Sequence, residues 1–505
     1  MDVLIRKGDL VTEKADLLVL NALEGFDKFA GATGAVDKAL GGMLATVARE
    51  DHFKGRLGET LLLRTQGLIP AKRVLLLGLG KKEQFSEEVV REVAAVSLVQ
   101  AERLGAKTVV SILHGAGNGK LSAKIVGKAM IEGIRLAGYT FDAYKKQKTK
   151  PKVLTMSIVS HDSRDVAQAE VGARIGEANA KGTILARDLV NTPSGHMQPA
   201  ALVEVAKRIA KESKGAVSIK VYDEAALKRM GAGGILGIAQ GSDHPAVMVH
   251  LRYSPRALPA GRQGAKKRVA LVGKAVTFDS GGLSIKPAEA MYTMKCDMAG
   301  SAAVLGVFSV LSKEKPKAIV DGIFGACENL PSGKAIRPGD VVKTLNGKTI
   351  EVLHTDAEGR VTLADTLAYA VRQKPDAIID LATLTGACVV ALGEEITGSM
   401  SNNPKLENKV LVAAAAAGEK MWSLPLEQNY KKEIKSEVAD YKNIAGRWGG
   451  ALTAGLLLEE FVDGLPWVHL DIAGPAFAER PLNSYTSRGG TGAGVRTLLE
   501  LLRSF

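Results

Sequence analysis

Short apolar runs closed by turn residues alternate along this chain with longer stretches whose apolar residues recur every three or four positions. Residues 17–20, 73–78 and 108–113 read as buried strands, because each is a brief Val/Leu/Ile run bounded by Gly, Asp or His. Between the second and third, residues 87–104 set Val89, Val90, Val93, Ala94 and Leu98 at helical spacing. A lysine-rich stretch then leads into a further strand-like run at 153–159. Strand and helix in alternation predict an α/β domain that ends near residue 160. Residues 164–189 follow as one long Ala-, Glu- and Arg-rich helix, broken at Asn191-Thr192-Pro193, and predict a connection between domains. Strand patterns resume at 268–273, 377–382 and 467–473.

Two glycine-rich segments punctuate this pattern. Gly115-Ala116-Gly117-Asn118-Gly119-Lys120-Leu121 lacks the spacing and the Ser or Thr of a phosphate-binding P-loop, so it reads as a turn. Residues 258–267, with Pro259, Gly261 and Gly264, read as an exposed hairpin. No internal repeat or low-complexity segment interrupts the chain.

Composition narrows the class. A length of 505 residues with 46% hydrophobic and 24% charged residues fits an ordinary globular enzyme of two or three domains. Met1-Asp2-Val3-Leu4-Ile5-Arg6-Lys7 carries no apolar signal core, and the longest apolar run, 410–417, is too short for a bilayer. The three cysteines, Cys296, Cys327 and Cys388, show no CxxC spacing and read as small buried hydrophobes in a reducing, cytoplasmic setting. A net charge of +13 is densest at Lys145-Lys146-Gln147-Lys148-Thr149-Lys150-Pro151-Lys152. That run reads first as a solvated loop; as a polyanion-binding patch it lacks interleaved aromatics apart from Tyr144.

Candidate chemistry concentrates in two places. His354-Thr355-Asp356-Ala357-Glu358-Gly359-Arg360 sets two carboxylates and a guanidinium at i, i+2 and i+4, a spacing that an extended backbone projects to one face. Upstream lie Lys274, Asp279, Lys286 and Asp297, the first of them directly after a buried strand. Ligands of open α/β sheets collect at the carboxyl ends of strands, so this is a fitting location for a site. Four carboxylates suffice to neutralise two divalent cations, and three cationic side chains remain for substrate, the inventory of a two-metal hydrolase. Oxygen-rich ligation suits Mg²⁺, Mn²⁺ or Zn²⁺. A lysine ligates only as the neutral amine.

These residues also carry a resemblance. Val272-Gly273-Lys274, Thr277-Phe278-Asp279-Ser280-Gly281-Gly282, Ser284-Ile285-Lys286-Pro287, Met294-Lys295-Cys296-Asp297-Met298 and Thr355-Asp356-Ala357-Glu358-Gly359-Arg360 resemble the motifs of the leucyl (cytosol) aminopeptidase family, in order and spacing. The resemblance spans residues 180–500; before 160 it rests on position and α/β character. It implies an α/β protein of two domains. The smaller, N-terminal and macro-domain-like, would cover 1–160, followed by a connecting helix at 161–190. The catalytic domain, with a central mixed sheet, would cover 191–505. It further implies one metal held by Lys274, Asp279, Asp297 and Glu358, and a more exchangeable one held by Asp279, Asp356 and Glu358. Lys286 and Arg360 would be the catalytic cations, the first toward the oxyanion and the second holding bicarbonate. Thr383, Leu384, Thr385, Gly386 and Ala387 would bind the first side chain of the substrate. The implied ions are Mn²⁺ or Zn²⁺, with Mg²⁺ an option for the exchangeable site. The implied reaction releases leucine and other bulky apolar residues from the N-termini of short peptides, by attack of a bridging water, within a cytoplasmic homohexamer.

Two other classes stay open at this point: a two-metal phosphohydrolase, disfavoured by the lysine ligand, and a DNA-binding regulatory protein on the same scaffold, which the basic balance permits. His354 departs from the family's usual Asn and reads as a hydrogen-bonding neighbour of the site or a core residue, not a ligand. His469, inside an apolar strand, reads as a satisfied core histidine, and Trp448 as an anchor for a loop or subunit contact.

Overall fold

A computed structural model describes residues 1–115, 121–255 and 267–505. Most of the turn read at 115–121 and of the hairpin read at 258–267 lies outside the described residues. The chain divides into two compact units, Met1–Ala180 with Pro481–Ser487, and Lys181–Arg480 with Arg488–Phe505. The helix read at 164–189 runs Ser163–Asn191, and the division falls inside it.

The first unit is built on a six-stranded sheet in the order Asp2–Lys7, Thr155–Ser160, Thr108–Ile112, Leu17–Ala22, Arg73–Gly78, Thr60–Arg64. All neighbours are parallel except the last pair. The central strands are the apolar runs read from the sequence. Both edge strands escaped that reading for one physical reason: an edge strand is half solvated, so Thr60–Arg64 alternates exposed and buried positions, and Asp2–Lys7 mixes charge with apolar residues. Helices Glu87–Arg103 and Ala123–Ala137 cover one face. They approach so closely that a Cβ at Gly133 would lie 2.1 Å from the Arg91 carbonyl oxygen. Under them the fully buried Arg91 meets Glu132 at 2.7 Å, and Glu132 also accepts from Asn179.

At the end of strand Thr108–Ile112, His114 is fully buried, its Nδ1 3.0 Å from Asn21 Nδ2 and its Nε2 3.2 Å from Ser111 Oγ. Asn21 donates, so Nδ1 accepts and the ring proton sits on Nε2. Burial pulls the His114 pKa down to about 3, whereas the unfolded chain binds that proton near pH 6.5. The native state therefore resists a proton the unfolded state accepts, and stability falls as pH drops from about 6.5 toward 3, by up to about 1.4 kcal/mol per pH unit. Urea unfolding between pH 7 and 5 should show this slope, and His114→Gln should flatten it.

The second unit carries a nine-stranded mixed sheet. Its path runs Met421–Ser423, Thr397–Ser401, Trp467–Asp471, Ala377–Ala382, Arg268–Gly273, Ile319–Asn329, Val247–Tyr253, Val217–Tyr222, and Ala275–Asp279 pairs beside Ile319–Asn329. The centre is parallel; Thr397–Ser401 runs antiparallel to Trp467–Asp471 with Met421–Ser423 parallel beside it, and on the other flank Val247–Tyr253 is antiparallel to both its neighbours. Helices Ala299–Glu314 and Gly359–Arg372 pack on this sheet, each buried along most of its length. The apolar run 410–417 lies in helix Pro404–Ala417. The small-residue run 299–311 reads as a helix from the sequence, and it lies within a longer stretch, Ala288–Glu314, that has the length and composition to cross a bilayer but is mostly buried. Small residues (Gly300, Ser301, Ala302, Ala303) let its helix approach the sheet, which explains both its apolar character and its place.

Candidate metal centre

The parallel strands deliver their chemistry at their carboxyl ends. Lys274 follows strand Arg268–Gly273, Asp279 closes strand Ala275–Asp279, Asn329 closes Ile319–Asn329, and Thr383 follows Ala377–Ala382. The Lys274 backbone is pinned from both sides, its N–H to Leu381 O and its carbonyl to Ser301 N, each at 2.9 Å. Its side chain then passes over Gly359, where an added Cβ would stand 2.5 Å from Lys274 Cε. The glycine of the motif is thus a spatial requirement of the lysine, a link the spacing alone does not reveal.

Asp356, Glu358 and Arg360 are not presented on an extended strand, as the spacing predicts. Thr355 and Asp356 occupy a turn, Glu358 has helical angles (φ −71°, ψ −33°) at the head of helix Gly359–Arg372, and Arg360 lies in its first turn. The reason is tertiary. Thr355 Oγ1 donates to Gly281 O at 2.6 Å and accepts from Ser284 N at 2.8 Å, which ties the turn to the loop after Asp279. That loop takes two left-handed residues in succession, Gly281 (φ +89°) and Gly282 (φ +64°), and a Cβ at 282 would crowd Asn329 and Thr355.

Lys274 Nζ lies 2.7 Å from Asp297 Oδ1, 2.8 Å from Glu358 Oε1 and 2.9 Å from Thr383 O. Lys286 Nζ contacts Asp279 Oδ2 at 2.8 Å and pairs with Asp356. Asp279 Oδ1 accepts from Gly281 N and from Asn329 Nδ2, at 2.9 and 2.8 Å. Oxygens of Asp279, Asp356 and Glu358 all lie within 4.8 Å of one another. Burial raises the pKa of Asp297, with Glu358 and Asp279 pushing the same way and Lys274 opposing. Burial, then Asp279, raises Asp356 and Glu358 as well. Burial alone would lower both lysines, yet the carboxylates around them hold Lys274 and Lys286 above the usual lysine range.

Crowded buried carboxylates with raised pKa values mark a place built for more positive charge than two ammonium groups provide. Among the described residues, Asp297 Oδ2 and Glu358 Oε2 are buried with no hydrogen-bond partner. Leaving such atoms unpaired costs free energy, so two orphaned oxygens beside a cluster of three facing carboxylates fit a divalent cation. Arg360 is buried beside this cluster; its Nη1 donates to Asn443 O at 3.0 Å, and its Nε has no partner among the described residues.

The candidate substrate run divides. Thr383 Oγ1 donates to Asp297 at 2.7 Å and Thr385 Oγ1 to Asp471 at 2.7 Å, whereas Leu384 is half-buried and Gly386 and Ala387 are exposed. His354 is exposed and its Nδ1 accepts from the Asp356 N–H at 3.3 Å, so the core alternative for it is excluded. His469 is buried as read, with Nδ1 2.6 Å from Asp380 Oδ1, but its Nε2 has no partner among the described residues. Trp448 is 79% exposed and stacks with Arg447. All three cysteines are free and buried. The sequence reading missed Asn329 and Asn443. Asn329 had one available signal, its place at the carboxyl end of a strand; Asn443 had none.

The chain is similar to known proteins over its whole length. Residues 184–499 match the sequence profile of the cytosol aminopeptidase family, catalytic domain, and residues 4–148 match that of its N-terminal domain. A relative from Alkaliphilus oremlandii, carrying the cytosol aminopeptidase name, is 41% identical over 506 residues, 100% of this chain and 99% of its own. One from Aquifex aeolicus is 41% identical, covering 99% of this chain and 98% of its own. Among solved structures, a mutant tomato leucine aminopeptidase superposes with a TM-score of 0.89 at 34% identity, over 100% of this chain and 97% of that one. The bottromycin maturation enzyme BotP in complex with Mn superposes with a TM-score of 0.84 at 35% identity, over 97% of this chain and 99% of that one. With both family profiles and full-length relatives matched, the chain belongs to the cytosol aminopeptidase family and is a hydrolase of the aminopeptidase class.

Proposed function

We propose that this chain is a two-metal aminopeptidase that releases leucine and other bulky apolar residues from the N-termini of short peptides. The observation that carries the reading is the pair of orphaned buried oxygens, Asp297 Oδ2 and Glu358 Oε2, beside the facing carboxylates of Asp279, Asp356 and Glu358. Lys274, as the neutral amine once the cation displaces its proton, would hold one ion with Asp279, Asp297 and Glu358; Asp279, Asp356 and Glu358 would hold the other. Bound there, Mn²⁺ or Zn²⁺, with Mg²⁺ as an option at the second position, supplies Lewis acidity for amide hydrolysis and an anchor for the free α-amine. Lys286, held between Asp279 and Asp356, keeps a positive charge at the mouth of the cluster, where a tetrahedral oxyanion would gather its charge. Arg360 carries an Nε that has no partner among the described residues and suits an anion such as bicarbonate. Thr383 orients Asp297, and Leu384 through Ala387 continue from it as the contact for the first side chain. The catalytic segment in this reading is 191–505, joined by the helix at 161–190 to the N-terminal domain 1–160, in a cytoplasmic homohexamer.

Stripping the purified protein with a chelator should abolish release of p-nitroaniline from leucine p-nitroanilide, and Mn²⁺ or Zn²⁺ should restore it. Undiminished release after chelation would sink the reading. Glycine p-nitroanilide should be cleaved with kcat/KM about 10-fold lower or worse, the discrimination an apolar pocket supplies. A nucleic-acid partner is a second reading, carried by the exposed lysines of 145–152. It requires DNA affinity that falls steeply with salt.

A further inference from the structure

Asn443 is fully buried at the end of strand Tyr441–Lys442, which pairs in parallel with Thr349–Val352. Each of its hydrogen bonds goes to one short stretch of chain. Its N–H donates to Glu351 O at 2.9 Å. Its Oδ1 accepts from the N–H groups of Leu353 and His354, at 2.9 and 3.3 Å. Its Nδ2 donates to the carbonyls of His354 and Ala357, at 2.7 and 3.2 Å. Its own carbonyl accepts from Arg360 Nη1 at 3.0 Å. The backbone partners, at 351, 353, 354 and 357, lie on both sides of Asp356 and lead directly into Glu358, while Arg360 is held through its own guanidinium.

We infer that Asn443 is a positioning residue for the reaction, a clamp whose amide sets the turn at 353–357 and whose carbonyl aims the Arg360 guanidinium. The inference rests on the metal-site reading proposed above. Two acceptances and two donations within one short side chain require an amide at this reach. Aspartate, of nearly the same volume, would aim an oxygen at two carbonyl oxygens; serine is too short to serve both ends. A residue that merely filled space would tolerate aspartate's shape better than alanine's void. A residue that holds the turn through its two donated bonds loses function in both.

The test compares wild type, Asn443→Ala and Asn443→Asp in three readouts. Hydrogen–deuterium exchange of the metal-free proteins should be faster in both variants within residues 353–361 and unchanged over the rest of the sheet. Calorimetric titration with Mn²⁺ should show one of the two affinities weakened about 10- to 100-fold, the usual effect of losing an outer hydrogen-bond partner. On leucine p-nitroanilide, kcat should fall by about the same factor while KM stays within about threefold. Should Asn443→Ala fail to accumulate as folded protein, Asn443→Ser carries the same measurements. Unchanged exchange at 353–361, or full kcat and both Mn²⁺ affinities retained, would overturn the clamp. If wild-type hydrolysis survives chelation, the metal reading fails by itself, and the exchange arm still decides whether Asn443 holds the turn.

Discussion

Glu358→Ala is expected to lower kcat/KM for leucine p-nitroanilide by about 10³-fold or more, with Mn²⁺ stoichiometry reduced in the same protein. Several losses converge on this one carboxylate. It is buried, its Oε1 pairs with Lys274, its Oε2 has no partner among the described residues, and it faces Asp279 and Asp356. In the proposed site it serves both ions, so its removal dismantles each of them, whereas loss of a single electrostatic donor costs about 10²–10³-fold. A far-ultraviolet circular dichroism spectrum like that of wild type would show that the sheet survives. Wild-type activity and metal stoichiometry in the variant would refute the bridging role.

Lys274→Met is expected to cost about 3–5 kcal/mol of stability as well as activity, because it removes one partner from a buried ion cluster and leaves the others uncompensated. Lys274 is 4% exposed and bonds Asp297, Glu358 and the Thr383 carbonyl. Methionine keeps the length of the stem and removes the charge, so Asp297 and Glu358 would face each other without it. The pH dependence has a definite sign. Burial already raises both carboxyl groups above their unfolded values, so the native state holds those protons more tightly. Their contribution is favourable at low pH and is lost as pH rises through the raised folded values. The difference between variant and wild type in metal-free urea unfolding should therefore be largest at pH 8 and shrink toward pH 5. A difference independent of pH would mean that lost packing, not stranded charge, explains the cost.

The basic run at 145–152 shows how far composition alone can be taken. Its lysines are exposed, as a solvated loop requires, and Lys148 spends its ammonium on the carbonyls of Asp142 and Ala143. Ala288–Glu314 shows the opposite limit. Its composition suits a membrane and its burial is that of a core helix, because small residues facing a sheet look the same as small residues facing lipid.

By itself the sequence determined the class and the chemical inventory. Central strands such as Leu17–Ala22 and Arg268–Gly273 are legible because burial on both faces demands unbroken apolar runs, and helix Glu87–Arg103 because one buried face imposes its period. Lys274, Asp279, Asp297, Asp356 and Glu358 are legible as residue types at motif spacing. Their geometry is not. Tertiary structure decided that the 354–360 motif bends into a turn and a helix head instead of an extended strand, since Thr355 bonds to a loop 74 positions away. It also decided that Gly359 makes room for a lysine 85 positions earlier, that Asn329 steadies Asp279, and that Asn443 reaches back 83 positions to Arg360. Local patterning records which face of an element is buried; it carries no record of which distant atom completes a hydrogen bond there. That depends on how strands far apart in the chain align in one sheet.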